Sequence, residues 1–310
     1  MKNSQKTFKP AKRKLTAMQR KQERTAYLFI LPAVLMFLFF VVVPIVVAIY
    51  LSMNKFSYTN LERMQWVGFG NYAKLFGDEL AMAEFRKSFI HALYYTALYV
   101  PGVVVLSLLF AVLVNQKIKG AKAYRVMYYL PSVTNGVAAA TVFSFIFNAA
   151  GYGLLNQMFN GGNVFYWTST PGIAMAVIAI VNIWGGVGGN MIIYLAALQG
   201  VSPDMIEAAK VDCASKWQIF YHITLPSIAQ ATFFVVMMAL IGSFQLYDQV
   251  DIITGGGGET STPVFNIYKY IYEPNTAGLA NAMAMVLFVV IIIITSINNY
   301  VQNKINERFD

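Results

Sequence analysis

Charge is scarce in this chain. Of its 310 residues only 12% are Asp, Glu, Lys or Arg, against roughly 25% in soluble domains, while 57% are hydrophobic and the mean hydropathy is +0.54. A water-soluble core cannot easily absorb that much apolar surface. The single cysteine, Cys213, excludes an intramolecular disulfide. The only histidines, His91 and His222, lack an HExxH or CxxC partner, which excludes the common zinc and metallohydrolase patterns. No Lys-Ser/Thr follows the glycine run Gly255–Gly258, so that run is not a phosphate-binding loop. Acidic residues are also few, 14 against 23 basic ones, for a formal net charge of +9. Nucleic-acid binding is not the explanation: nine of the 23 precede Tyr27, from Lys2 to Arg24, and a strongly apolar run follows at once. Such a flank is held on the cytoplasmic side of a membrane.

What the chain does have is long apolar runs. Crossing about 30 Å of hydrocarbon takes roughly 20 mainly apolar helical residues, because every backbone amide must be satisfied internally. Six segments qualify: Ala26–Leu51, His91–Val114, Tyr124–Asn148, Gly172–Leu198, Pro226–Ile253 and Leu279–Tyr300. The first exceeds the about 7–15 apolar residues of a secretion signal and no small-x-small cleavage pattern follows, so it reads as a retained span. The expected fold is an all-α integral membrane protein with six transmembrane helices.

The loops predict orientation. Residues Asn115–Arg125 carry Lys117, Lys119, Lys122 and Arg125 with no acid, whereas Ala149–Pro171 is uncharged; short cytoplasmic loops collect the cations. Both termini are then cytoplasmic, as is Gln199–Leu225, with Thr254–Gly278 outside. The expected organisation is a basic cytoplasmic tail over 1–25, the first span and an outer loop over 26–88, a transmembrane domain over 89–303 and a cytoplasmic tail over 304–310.

The loop between the fourth and fifth spans reads QGVSPDMIEAAKVDCASKWQIFYHITLPSI. Ser202 suits an N-cap, Pro203 the first helical position and Asp204 the positive end of a helix dipole. A short helix is predicted through Glu207, Ala208, Ala209 and Val211, ending near Cys213. Ser215 can cap a second helix whose Trp217, Phe220 and Tyr221, at i, i+3 and i+4, share a face. Pro226 is expected to start the fifth span. Alanines beside a lone carboxylate make a small surface on which another protein can lie, or else an amphipathic connector on the bilayer.

The spacing in this loop resembles the EAA motif of binding-protein-dependent ABC importer permeases: Glu-Ala-Ala, three residues, Gly, nine residues, Ile-x-Leu-Pro. Glu207-Ala208-Ala209 and Ile223-Thr224-Leu225-Pro226 match in register. Cys213, after Asp212, stands where the family has glycine. Downstream, Ser243–Asp248, Thr254–Gly258 and Tyr268–Tyr272 resemble the sugar subgroup related to maltose and glycerol-phosphate permeases, without the proline usual in the glycine stretch. The resemblance implies a bacterial cytoplasmic-membrane subunit of a carbohydrate (oligosaccharide) importer. It also implies a second permease subunit, an ATPase dimer that holds ATP and Mg, and an extracytoplasmic sugar-binding protein. The helix at Glu207 would be the coupling helix, and this chain would bind no cofactor and hydrolyse nothing.

Polar and aromatic residues within spans are the candidates for a sugar pathway. They are Asn135, then Asn182, Trp184 and Asn190 around Gly185-Gly186-Val187-Gly188-Gly189, and Gln245, Tyr247 and Asp248. The glycines read either as a break on a transport pathway or as close helix packing. Asp248 is either an intramembrane carboxylate, functional by default, or lies at the outer headgroups. Asn135 can equally bond a neighbouring helix. A secondary transporter or channel is the competing class, but it would be expected to carry more ionisable groups in its spans than Asp248 and Asp251. A membrane-embedded enzyme lacks a nucleophile with its base.

Overall fold

The computed structural model describes residues 17–77, 80–116, 120–148, 153–159 and 164–306. The basic segment Lys2–Lys14, the loop cations Lys117 and Lys119 and residues 307–310 lie outside these. The chain divides into two units at Tyr50 and Leu51. In the first, α1 (Ala17–Phe37) passes through a π turn, Leu38–Val42, into α2 (Val43–Ser52). The π turn stands just before Pro44, whose ring would otherwise press on the carbonyl of Phe40.

The second unit begins with a hairpin. Strands β1 (Asn54–Ser57) and β2 (Asn60–Trp66) pair antiparallel across Tyr58-Thr59, so the all-α expectation is corrected by one two-stranded sheet. Helix α3 (Gly70–Phe76) pins it: Asn71 Nδ2 donates to the carbonyls of Ser52 at 2.7 Å and Asn54 at 2.9 Å. Helix α4 (Leu80–Asn115) starts well before the expected His91. Arg86 on its first turns donates to the carbonyls of Leu75 and Gly77, satisfying the end of α3.

Next come α5 (Ala121–Tyr129), a 3-10 turn Leu130–Val133, α6 (Gly136–Ile146) and the short α7 (Leu154–Phe159). The expected third span is therefore bent, by 90°. Pro131 sits in the 3-10 turn, and extended Asn135 restarts the helix, its Oδ1 accepting from the N–H of Val137 and Ala138 at 2.9 and 3.3 Å. Asn135 thus bonds the start of its own helix rather than a neighbouring one.

Helix α8 (Ile173–Gln199) runs unbroken through its glycines, which favours the close-packing alternative over a break there. They let neighbours approach instead. A Cβ at Gly186 would sit 3.0 Å from the Tyr99 hydroxyl, and one at Gly188 would collide with the Tyr128 carbonyl and lie 2.8 Å from Tyr129 Cα. In lipid, where apolar burial between helices supplies little drive, such close van der Waals packing is what holds spans together. Val103 of α4 packs with Val187, and Ala111 and Val114 with Met191, Tyr194 and Leu198, all buried.

After α8 follow α9 (Pro203–Val211), α10 (Lys216–Ile219), a π turn Phe220–Thr224 and α11 (Leu225–Ser227). The chain then bends 66° at Ile228 into α12 (Ala229–Phe244). The expected span Pro226–Ile253 is corrected at both ends. Pro226 belongs to the preceding helical segment, and the chain turns again at Gln245–Tyr247 before α13 (Asp248–Ile253). Finally α14 (Pro263–Tyr272), capped by Thr262, leads to α15 (Ala277–Asn306). Among the described residues four helical stretches are long and apolar enough to cross a membrane, or six if each bent pair is one span.

Candidate coupling surface and translocation cavity

Helix α9 is anchored on one side and bare on the other. Ile206 packs against a buried cluster that includes Ala111 and Val114 of α4, Leu198 of α8 and Val235 of α12, joined by Ile223. Asp204, Glu207 and Ala208 are exposed, and Ala209 is half-buried. The helix ends in a Schellman motif: Cys213 N–H donates to the Lys210 carbonyl at 3.1 Å and Ala214 N–H to that of Ala209 at 2.9 Å, with Asp212 as C-cap. This motif needs a left-handed residue at Cys213, and Cys213 adopts φ 57°. The thiol is thus accommodated without loss of the turn, at a cost on the order of 1 kcal/mol for a Cβ in that region. Cys213→Gly is accordingly expected to raise the thermal unfolding midpoint of the purified protein; a lowered midpoint would contradict strain at this turn.

Ser215 then caps α10 through a reciprocal capping box, its N–H donating to Gln218 Oε1 at 2.7 Å and its Oγ accepting from Gln218 N–H at 3.3 Å. Trp217 stacks on Tyr221 with centroids 5.9 Å apart and meets Phe220 edge-on. Ser202 stands at the N-cap of α9, but its side chain makes no capping bond. Ile223 and Pro226 are half-buried, and Leu225 is exposed.

A second feature is a cavity of about 480 Å³ where α4, α8, α13 and α14 converge. Asn182, Gln245, Tyr247 and Asp248 line it together, so four of the seven pathway candidates share one space. Three do not line it. Trp184 packs edge-on against Phe143 at 5.2 Å, Asn190 bonds the Gly186 carbonyl of its own helix at 2.9 Å, and Asn135 caps α6. The remaining walls include residues the sequence did not single out as pathway candidates, among them Tyr95, Tyr99, Gln249 and Tyr268, with Gly242 of α12. Tyr95 stacks on Tyr99 at 5.3 Å and Tyr247 on Tyr268 at 4.2 Å. The one advance sign was a pair of hydroxyl-tipped rings four residues apart, at 95 and 99, in an apolar run. Thr262 Oγ1 donates to the Leu246 carbonyl at 2.6 Å, fixing the turn that carries Gln245 and Tyr247 to the start of α14.

The sequence matches the family described as binding-protein-dependent transport system inner membrane component, over residues 75–307. The chain belongs to this family. It is similar to the multiple sugar-binding transport system permease protein MsmF of Streptococcus mutans, 32% identical over 286 residues that span 87% of this chain and 95% of that protein. It is also similar to the sn-glycerol-3-phosphate transport system permease protein UgpA of Yersinia pestis, 29% identical across 91% of this chain and 95% of that one. Among solved structures, a bacterial ABC transporter that imports the acidic polysaccharide alginate matches with a TM-score of 0.77, covering 92% of this chain and 96% of that one. At 24% identity this likeness speaks for the fold. The permease is therefore a multi-pass protein of the cytoplasmic membrane and a transport component. Among the described residues no cluster of three or more His, Cys, Asp or Glu could hold a metal ion.

Proposed function

We propose that the permease is one membrane half of an ATP-driven carbohydrate importer, paired with a second permease subunit and worked by a separate ATPase dimer through α9. The observation that carries this is the two-sidedness of α9: Ile206 is joined to the cluster that binds α4, α8 and α12, while Glu207 and Ala208 face outward. A push on the bare face is transmitted by packed side chains, which have few intermediate arrangements. The Schellman turn and the capping box support the same role, since they make the segment stiff on both sides of Cys213.

The cargo is taken to be a carbohydrate, as the names of the sugar-transport relatives suggest, and the cavity supplies what a sugar needs. The rings of Tyr99, Tyr247 and Tyr268, the first backed by buried Tyr95, suit the C–H face of a pyranose, and the side chains of Asn182, Gln245 and Asp248 suit its hydroxyls. ATP and Mg are held by the partner ATPase, and an extracytoplasmic binding protein delivers the oligosaccharide. Binding of that protein shifts the permease between its two access states only to the extent that it prefers one of them.

Both termini and α9 then lie in the cytoplasm, and the native thiol tests this. A membrane-impermeant maleimide should label Cys213 in inside-out vesicles stripped of peripheral subunits, and leave it unlabelled in intact spheroplasts. Ala208→Cys, in a Cys213→Gly background, should crosslink to a nucleotide-binding subunit. Labelling of Cys213 from outside, or no nucleotidase among the adducts, would overturn the coupling assignment.

A further inference from the structure

The cavity has a sign. Among the described residues its lining contains one carboxylate, the solvent-exposed Asp248, and no Lys, Arg or His. One turn on stands a second carboxylate, Asp251, also on α13. The basic residue nearest in sequence, Lys269, is next to the lining Tyr268, but it belongs to a different hollow and forms an ion pair with Glu84 at 3.3 Å. The polar atoms offered inside are amides from Asn182, Gln245 and Gln249 and the hydroxyls of the tyrosines. These groups hydrogen-bond hydroxyls without regard to charge, whereas a uronate or phosphate in the same space would meet Asp248 with no cation among this chain's described lining residues to neutralise it. Specificity of this kind is gained by an unpaired repulsive charge as much as by attraction.

We propose that Asp248 makes this cavity a charge filter that passes neutral and amino-bearing saccharides and rejects acidic ones. The filter rests on the carbohydrate reading above. It makes Asp248 a specificity-determining residue. Aromatic faces give affinity for the ring, the amides fix its hydroxyls, and the carboxylate decides which charge enters.

A thiol placed in the cavity tests the filter directly. Gly242 lines it, and a Cβ added there meets nothing within 4 Å, so Gly242→Cys in a Cys213→Gly background reports from inside. In membrane vesicles holding the full complex, cationic aminoethyl methanethiosulfonate should react faster than anionic sulfonatoethyl methanethiosulfonate. After normalisation to a free thiol the excess should be about fivefold or more at low salt, as expected for a unit charge in partly screened surroundings. Adding Asp248→Asn should bring the ratio close to unity. A panel of neutral trisaccharides (maltotriose, cellotriose and xylotriose) should include one that slows labelling, while trigalacturonate slows it only in the Asp248→Asn protein. Protection by trigalacturonate of the protein that retains Asp248, or equal rates for the two reagents, overturns the filter and spares the carbohydrate reading. A charge preference with no saccharide protecting at all overturns the carbohydrate reading on which the filter rests.

Discussion

Glu207→Lys is expected to lower carbohydrate uptake by the assembled importer at least about tenfold while the protein remains folded and inserted. Among the described residues Glu207 makes no ion pair within the chain, and it is exposed on α9. Substitutions at such positions change stability by about 0.5 kcal/mol or less. In the proposed coupling its value lies instead in meeting a cation on the ATPase. Where one partner of a charge pair becomes buried in an interface, removing it costs roughly 2–5 kcal/mol, and a reversal adds repulsion. Ile206, one residue earlier, keeps the helix seated on its cluster, so the lesion falls on docking rather than on fold. Uptake in cells, read beside co-purification of the ATPase and the ATPase rate of the complex, separates the two. Glu207→Gln, which retains the shape and loses only the charge, should fall between native and lysine. Undiminished uptake in the lysine protein would falsify the coupling role.

The helix–turn–helix around Glu207 was legible in the sequence because its determinants are local. Pro203 at the first turn, the Ser215–Gln218 capping box and the left-handed turn at Cys213 are each specified within a few residues. Spans were legible as long apolar stretches but not in shape. A window of about 20 apolar residues has the same composition whether it is straight or bent, so Tyr124–Asn148 and Pro226–Ile253 concealed the bends at Leu130–Asn135 and Ile228. The hairpin gave almost no signal: its strands are four and seven residues long, the second reads NLERMQW, and Tyr58-Thr59 is not a glycine-type hairpin turn. The charges Glu84, Arg86 and Lys87 disguised the start of α4 as loop, although Arg86 is engaged with the end of α3. The cavity was half legible, since Gln245, Tyr247 and Asp248 are neighbours in sequence. Tyr95, Tyr99 and Tyr268 join them only through packing of separate helices.

Two alanine substitutions three residues apart in α8 should have opposite effects, and the pair decides what the glycines do. At Gly188 a Cβ would strike the Tyr128 carbonyl and sit 2.8 Å from Tyr129 Cα and 3.2 Å from Ser132 Oγ. Two of these neighbours are backbone atoms of α5, which cannot swing aside as a side-chain tip does. Overpacking typically costs about 1–3 kcal/mol, and Gly188→Ala should lie at or beyond the upper end, with loss of folded protein from the membrane. At Gly185 a Cβ meets nothing within 4 Å. There the alanine removes only the conformational penalty of a helix-interior glycine, so Gly185→Ala should stabilise by about 0.5–1 kcal/mol. Thermal unfolding of each variant in detergent, together with its yield in the membrane, reads both signs. If the glycines were instead a hinge on the pathway, Gly185→Ala would stiffen it and lower uptake without altering stability. The continuous helix Ile173–Gln199 predicts the contrary, because a segment already hydrogen-bonded as helix gains rigidity from alanine without losing a conformation it uses.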